Sequence, residues 1–355
     1  MHEIAKKYKT ENHFLKSIDM RGIFDRTGIF VISGILVSLL LLTTGCINPS
    51  APGNHSTPLL STSPPLGVST ENSPKFIAIS AGGFQGLALK EEGTVVTIGA
   101  DNTLDKDVPE NLTHVIAISA GSGFDLALKN DGSIVFWGEF NNFNQLPTLP
   151  TLSNLSNIVA ISAGTAHGLA LQQDGTVVAR GTELSGALDV PANLTNVISI
   201  SAGSDHSMAL KKDGTVVAWG AHGKYVDFGQ ADVPANLTDV VAISAGYAHS
   251  LALKKDGTVV AWGDNEYGQT DVPVNLRNVI SISARGNHNL ALKNDGTVMA
   301  WGQNDVGQCN VPKNLTDVKA ISAGGGFSLA LKNDGTIIGW GANNFGQIDI
   351  PTGIQ

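Results

Sequence analysis

One tripeptide, Ile-Ser-Ala, returns seven times along this chain, with its serine at Ser80, Ser119, Ser162, Ser201, Ser244, Ser283 and Ser322. The spacings are 39, 43, 39, 43, 39 and 39 residues. Eighteen residues beyond each serine is a second recurring slot, filled by Ile98, Trp137, Arg180, Trp219, Trp262, Trp301 and Trp340. All five tryptophans of the chain occupy it. A period near 40 residues, built from several short strand-like runs, is the signature of a β-propeller.

The fifth unit shows why. Val240 to Ala245 is β-branched and alternates in bulk, which predicts a strand. His249 to Lys254 predicts a second, and Asp256-Gly257 a tight hairpin with positive φ angles. Thr258 to Trp262 predicts a third strand. A loop rich in Asn, Asp and Gly follows. Gln269 to Val272 reads as a short fourth strand, ended by Pro273, which cannot donate a ladder hydrogen bond. The expected fold is therefore all-β: a seven-bladed propeller of four-stranded antiparallel blades. A lone blade leaves both faces apolar, so seven must stack in a ring, which also removes exposed sheet edge.

The run His249-Ser250-Leu251-Ala252-Leu253, through Asp256-Gly257-Thr258 to Trp262-Gly263-Asp264-Asn265 and Gly268-Gln269, resembles the regulator-of-chromosome-condensation repeat family. The Val-Pro after the Gly-Gln (Val233-Pro234, Val272-Pro273, Val311-Pro312) looks most like that family's secreted branch, the branch of a seven-bladed bacterial β-lactamase inhibitor protein. The resemblance covers roughly Pro74 to Gln355. It is weakest in unit 1, which lacks the Trp and the Gly-Gln, and in unit 3, where Arg180 replaces Trp. The resemblance implies a binding propeller with a secreted or cell-wall enzyme as one possible target.

Ahead of the repeats, Gly28 to Thr44 is uncharged and apolar, preceded by Arg21 and Arg26 and followed by Gly45-Cys46. Its length suits a hydrophobic helix that is either a signal-peptide core or a membrane anchor. The Gly-Cys ending resembles a lipoprotein processing site with Cys46 as the lipidated residue, although Thr43 stands where leucine is expected. Lipidation, an uncleaved anchor and ordinary cleavage all remain open, and so does a start at Met20 rather than Met1. Residues 47–74 are dominated by Pro, Ser and Thr and read as a disordered linker. The expected organisation is 1–46 signal or anchor, 47–74 linker, and 75–355 propeller, placed outside the cytoplasmic membrane and tethered by its N-terminus.

The net charge is −9, and the region up to Cys46 carries six basic against four acidic residues, so the propeller is more acidic still. No basic cluster of the kind that neutralises phosphates is visible, which argues against nucleic acid. The nuclear members of the family act on chromatin and on a small GTPase; an acidic, exported propeller is expected to do neither. With two cysteines, Cys46 and Cys309, a disulfide framework is not expected.

No catalytic constellation stands out, and neither a cofactor nor a metal is expected. His167, His206, His249 and His288 share one slot in four units and lack metal-ligand spacing, so they read as serving the blade. The Asp-Gly pairs lack the Ser-x-Asp spacing of a sialidase Asp-box and read as turns. Sequons at Asn111, Asn154, Asn193, Asn236 and Asn314 share one loop slot, with a further one at Asn54; whether any is glycosylated stays open. Comparing the units with one another locates variation on one face. The loop after the first strand and the loop after the third differ from unit to unit, whereas the Asp-Gly hairpin and the Val-Pro loop barely change. The candidate partner-binding residues are Phe140, Phe143, Tyr225, Phe228, Tyr247, Tyr267 and Phe345, since aromatics on rigid loops are typical interface anchors. Tyr267 and Phe345 are equally readable as packing between blades. The function expected is a cell-surface-tethered, non-enzymatic propeller presenting this face to a protein or cell-envelope partner. The alternatives are a carbohydrate-binding or carbohydrate-active propeller and a structural surface-layer component.

Overall fold

The computed structural model describes residues 75–99, 108–138, 155–182 and 185–351. Among them are 21 strands and no helix. The strands form seven sheets, each made of three consecutive antiparallel strands, so the described residues form an all-β, seven-bladed propeller. Blade 5 consists of Val240–Ala245, His249–Lys254 and Val259–Gly263. Blades 1 and 3, whose motifs are degenerate, form the same three-stranded sheet as the rest. Residues 1–74 lie outside the described residues, and with them the predicted helix, Cys46 and the linker.

Two local expectations are corrected. Gln269 to Val272 forms turns, not a fourth strand: Asp271 N–H donates to Gly268 O, Val272 N–H to Thr270 O, and Thr270 N–H to the Asn265 side chain. Local Asn and Gly acceptors satisfy these amides before a ladder can. In the hairpin, Gly257 alone takes a positive φ, 81°. Asp256 instead folds its carboxylate back onto the Thr258 N–H at 3.0 Å.

The first strands are innermost; each touches the first strands of both neighbours, and Phe76–Ala81 of blade 1 meets Val318–Ala323 of blade 7. The motif serine explains its own recurrence. Its hydroxyl accepts the amide N–H of the motif alanine in the next blade at all seven junctions, at 2.8–3.0 Å. The last of these, Ala81 N–H to Ser322 Oγ, closes the ring at 2.8 Å. Among the described residues no strand crosses that seam.

The core lies between blades. Leu251 and Leu253 of blade 5, for example, pack on Val279, Ile282 and Trp301 of blade 6. Burial of each such aliphatic side chain contributes about 1.5–3 kcal/mol. The tryptophan and the Gly-Gln are two halves of one inter-blade device. The indole N–H of Trp262 donates to Gln230 O at 3.0 Å, that of Trp301 to Gln269 O at 3.1 Å, and that of Trp340 to Gln308 O at 2.9 Å. Gly263, after the tryptophan, has φ 105°, and a Cβ there would fall 2.6 Å from Ala248 O.

The recurring histidines form a second belt. His167 meets Ser207, His206 meets Ser250, His249 meets Asn289 and His288 meets Ser328, each in the next blade at 2.7–3.0 Å. Ser250 donates its own proton to Gln230 O, so it accepts from His206, which must be protonated on Nε2. Burial pushes His167 and His249 down to a pKa of about 4, and His206 and His288 to about 3, keeping all four neutral. The His206 ring lies on the motif glycine of its own blade: a Cβ on Gly203 would fall 2.5 Å from His206 Cε1.

Candidate functional site

The belts and the hairpins leave one face free to vary. On it emerge the loops after each first strand and, in blades 4 to 7, the loops after each third strand. The first set is fixed near the axis by backbone bonds from blade to blade, such as Tyr247 N–H to Gly286 O at 2.8 Å and Gly325 N–H to Gly82 O at 3.0 Å. In the second set, the buried glutamine of the Gly-Gln accepts the amide N–H of the residue two before it. Phe228 is held this way by Gln230, Tyr267 by Gln269, Val306 by Gln308 and Phe345 by Gln347.

The same slot in four successive blades therefore presents a half-exposed apolar side chain: Phe228 at 48%, Tyr267 at 40%, Val306 at 46% and Phe345 at 38%. Tyr225, in the four-residue insertion of blade 4, stands 85% exposed beside them, with Lys224 Nζ 5.9 Å from its ring centre. Phe345 also packs edge-on against Phe84 of blade 1, ring centres 5.3 Å apart, so it both bridges the seam and reaches solvent. The result is an apolar arc from blade 4 round to blade 1.

Of the residues singled out from sequence, Tyr225, Phe228, Tyr267 and Phe345 share this arc. Tyr247 lies on the same face but nearer the axis and half-buried. Phe140 and Phe143 fall outside the described residues. Val306 and Phe84 were not among the candidates: Val306 is not aromatic, and only the contact with Phe345 across the seam brings Phe84 into the arc. The slot before Gly-Gln would have found the first.

The central channel holds a residue that the repeats conceal. In blade 6 the glycine after Ile-Ser-Ala is Arg285, and it is fully buried. Its guanidinium reaches across the ring and donates to Ala81 O at 3.2 Å, Ala120 O at 2.8 Å and Ser122 Oγ at 3.0 Å in blades 1 and 2. Among the described residues no group of three or more His, Cys, Asp or Glu converges as a metal site would require. Cys309 is partly buried; its thiol faces Gln303 O at 3.1 Å, and burial pushes its pKa up to about 12. No helix of the described residues is long and apolar enough to cross a membrane.

The signature of the regulator of chromosome condensation (RCC1) repeat matches residues 197–230, 240–269, 279–308 and 318–347, which are blades 4 to 7. No curated protein matches the chain in sequence. Among solved structures, the ectodomain of the Physcomitrella patens receptor kinase CR4 is similar over 76% of this chain and 74% of its own, with 22% identity and a TM-score of 0.62. The CRINKLY WD40 ectodomain of the Arabidopsis thaliana receptor kinase ACR4 is similar over 76% of this chain and 98% of its own, with 18% identity and a TM-score of 0.55. The C-terminal domain of gp131 from bacteriophage phiKZ covers 78% of this chain and 94% of its own, with 13% identity and a TM-score of 0.50. These likenesses concern the fold. The seven sheets and the serine belt that closes them make the described chain a seven-bladed β-propeller, four of whose blades, 4 to 7, carry repeats matching the RCC1 signature.

Proposed function

We propose that this propeller is a non-enzymatic binding protein that docks a protein partner on its variable face. The observation that carries the reading is the apolar arc: four consecutive blades raise a half-exposed apolar side chain from one rigid slot, beside the exposed Tyr225. Because seven blades fix these loops, little conformational entropy is lost on docking. The channel, where a carbohydrate-active propeller would gather its carboxylates, is instead crossed by Arg285. We place the propeller outside the membrane, tethered through its N-terminal segment with Cys46 or the Gly28–Thr44 stretch as the anchor. Two solved propellers of similar fold are receptor-kinase ectodomains, in keeping with that setting.

The test is site-specific photo-crosslinking in intact cells. A benzophenone side chain replaces Tyr225 on the variable face or Ile198 on the hairpin face. A discrete protein adduct from position 225 and none from position 198 supports the reading. Adducts from 198 alone, or from neither, refute it.

A further inference from the structure

The two faces of the ring differ sharply in charge. On the hairpin face the described residues carry twelve Lys or Arg and eleven Asp or Glu. All six ion pairs of the described residues lie there, among them Lys211–Asp213 at 3.2 Å and Lys293–Asp295 at 2.9 Å. That face is close to neutral and internally paired. On the variable face the described residues carry nine carboxylates outside the core, including Asp227, Asp232, Asp264, Glu266, Asp271 and Asp305, against one exposed lysine, Lys224, and the half-buried Arg180.

The hydrogen bonds these carboxylates make leave their charge in place, because the donors are neutral. Asp264 accepts from the Gln269 amide at 2.9 Å, Asp271 from the Asn265 amide at 2.9 Å, Asp305 from the Gln303 amide at 2.8 Å and Asp227 from the Gly229 N–H at 3.1 Å. The acidic residues are interleaved with the arc: Asp227 precedes Phe228, Glu266 precedes Tyr267 and Asp305 precedes Val306. Apolar contact and negative potential are therefore offered by the same loops. A partner with an acidic surface would be repelled, and a purely apolar one would strip water from carboxylates without giving them a partner.

We infer that the partner presents a basic docking segment, with lysine or arginine flanking apolar side chains that seat on the arc. This rests on the proposed docking face and specifies its partner. The potential steers encounter, and the apolar contacts set the residence time.

The test pans a random-peptide phage library on the full chain held in detergent micelles. Selected peptides are then measured on two variants. One removes the apolar anchors, Tyr225→Ser with Tyr267→Ser. The other removes charge with near-isosteric amides, Asp227→Asn, Asp232→Asn, Glu266→Gln and Asp305→Asn, which keep the acceptors that shape the loops. The expected peptides carry Lys or Arg around an apolar residue. They bind about tenfold more weakly to the amide variant, and again on raising salt from about 50 to 500 mM, and they do not bind the serine variant. Peptides lost on the serine variant but without basic residues, and indifferent to the amides and to salt, would overturn the charge inference and leave the face intact. Peptides indifferent to both variants, or a library without binders, would overturn the docking face itself.

Discussion

The histidine belt makes the ring acid-sensitive in a calculable way. His167, His206, His249 and His288 are buried and neutral, with pKa values of about 3 to 4 against about 6.5 in the unfolded chain. Because the folded values are depressed, the unfolded state binds protons first as pH falls. Stability is complete above about pH 6.5 and is lost progressively from there down toward pH 4. At pH 5 the solution lies about 1.5 units below each histidine's unfolded pKa, which corresponds to about 2 kcal/mol per residue and about 8 kcal/mol for the four. That is comparable with the whole stability of a domain, typically about 5–15 kcal/mol. Blade 1 supplies the control, since Gln85 occupies the same slot and donates to Asp125 at 3.2 Å. Guanidinium denaturation followed by tryptophan fluorescence should show a large drop in unfolding free energy between pH 7 and pH 5. In the triple variant His206→Gln, His249→Gln and His288→Gln, about three quarters of that drop should vanish. If wild type and variant lose stability equally over this interval, the belt is not what responds to acid.

Gly203→Ala should cost about 3 kcal/mol, because its Cβ would fall 2.5 Å from His206 Cε1 and 2.8 Å from Gly246 O; chemical denaturation at pH 7 measures it. Ser322→Ala leaves the buried Ala81 N–H without its acceptor and should cost about 1–3 kcal/mol, read as a shifted denaturation midpoint with an unchanged m-value. Cys309, held as the thiol by a pKa near 12, should react with a disulfide reagent at pH 8 more than a hundredfold slower in native protein than in denaturant. Comparable rates in the two states would show that the thiol is not shielded.

The blade number was legible because each repeat element discharges a ring-wide duty: serine to alanine, tryptophan to the Gly-Gln carbonyl, histidine to the next blade. The partners of those contacts were not legible, since every one lies in a neighbouring blade, 32 to 44 residues away except at the closing seam. Gln269 to Val272 reads as a strand from composition, but Asn265 captures its amides locally. Arg285 replaces the glycine that follows Ile-Ser-Ala in the other six units, a break that the regularity of the repeat hides, and nothing in its neighbours says that it spans the channel to Ala120. Tyr225 and Phe228 stood out as an insertion, whereas the exposure of Val306 follows only from how Gln308 holds its amide.

The seam between blades 7 and 1 is stitched with the same hydroxyl and the same spacing as the other six junctions. The circle accordingly has no clasp. Joining the two ends of the ring, residues 75 and 351, and cutting instead in any Val-Pro loop should give a permuted ring that folds as well as its parent, because no junction holds the circle differently from the rest.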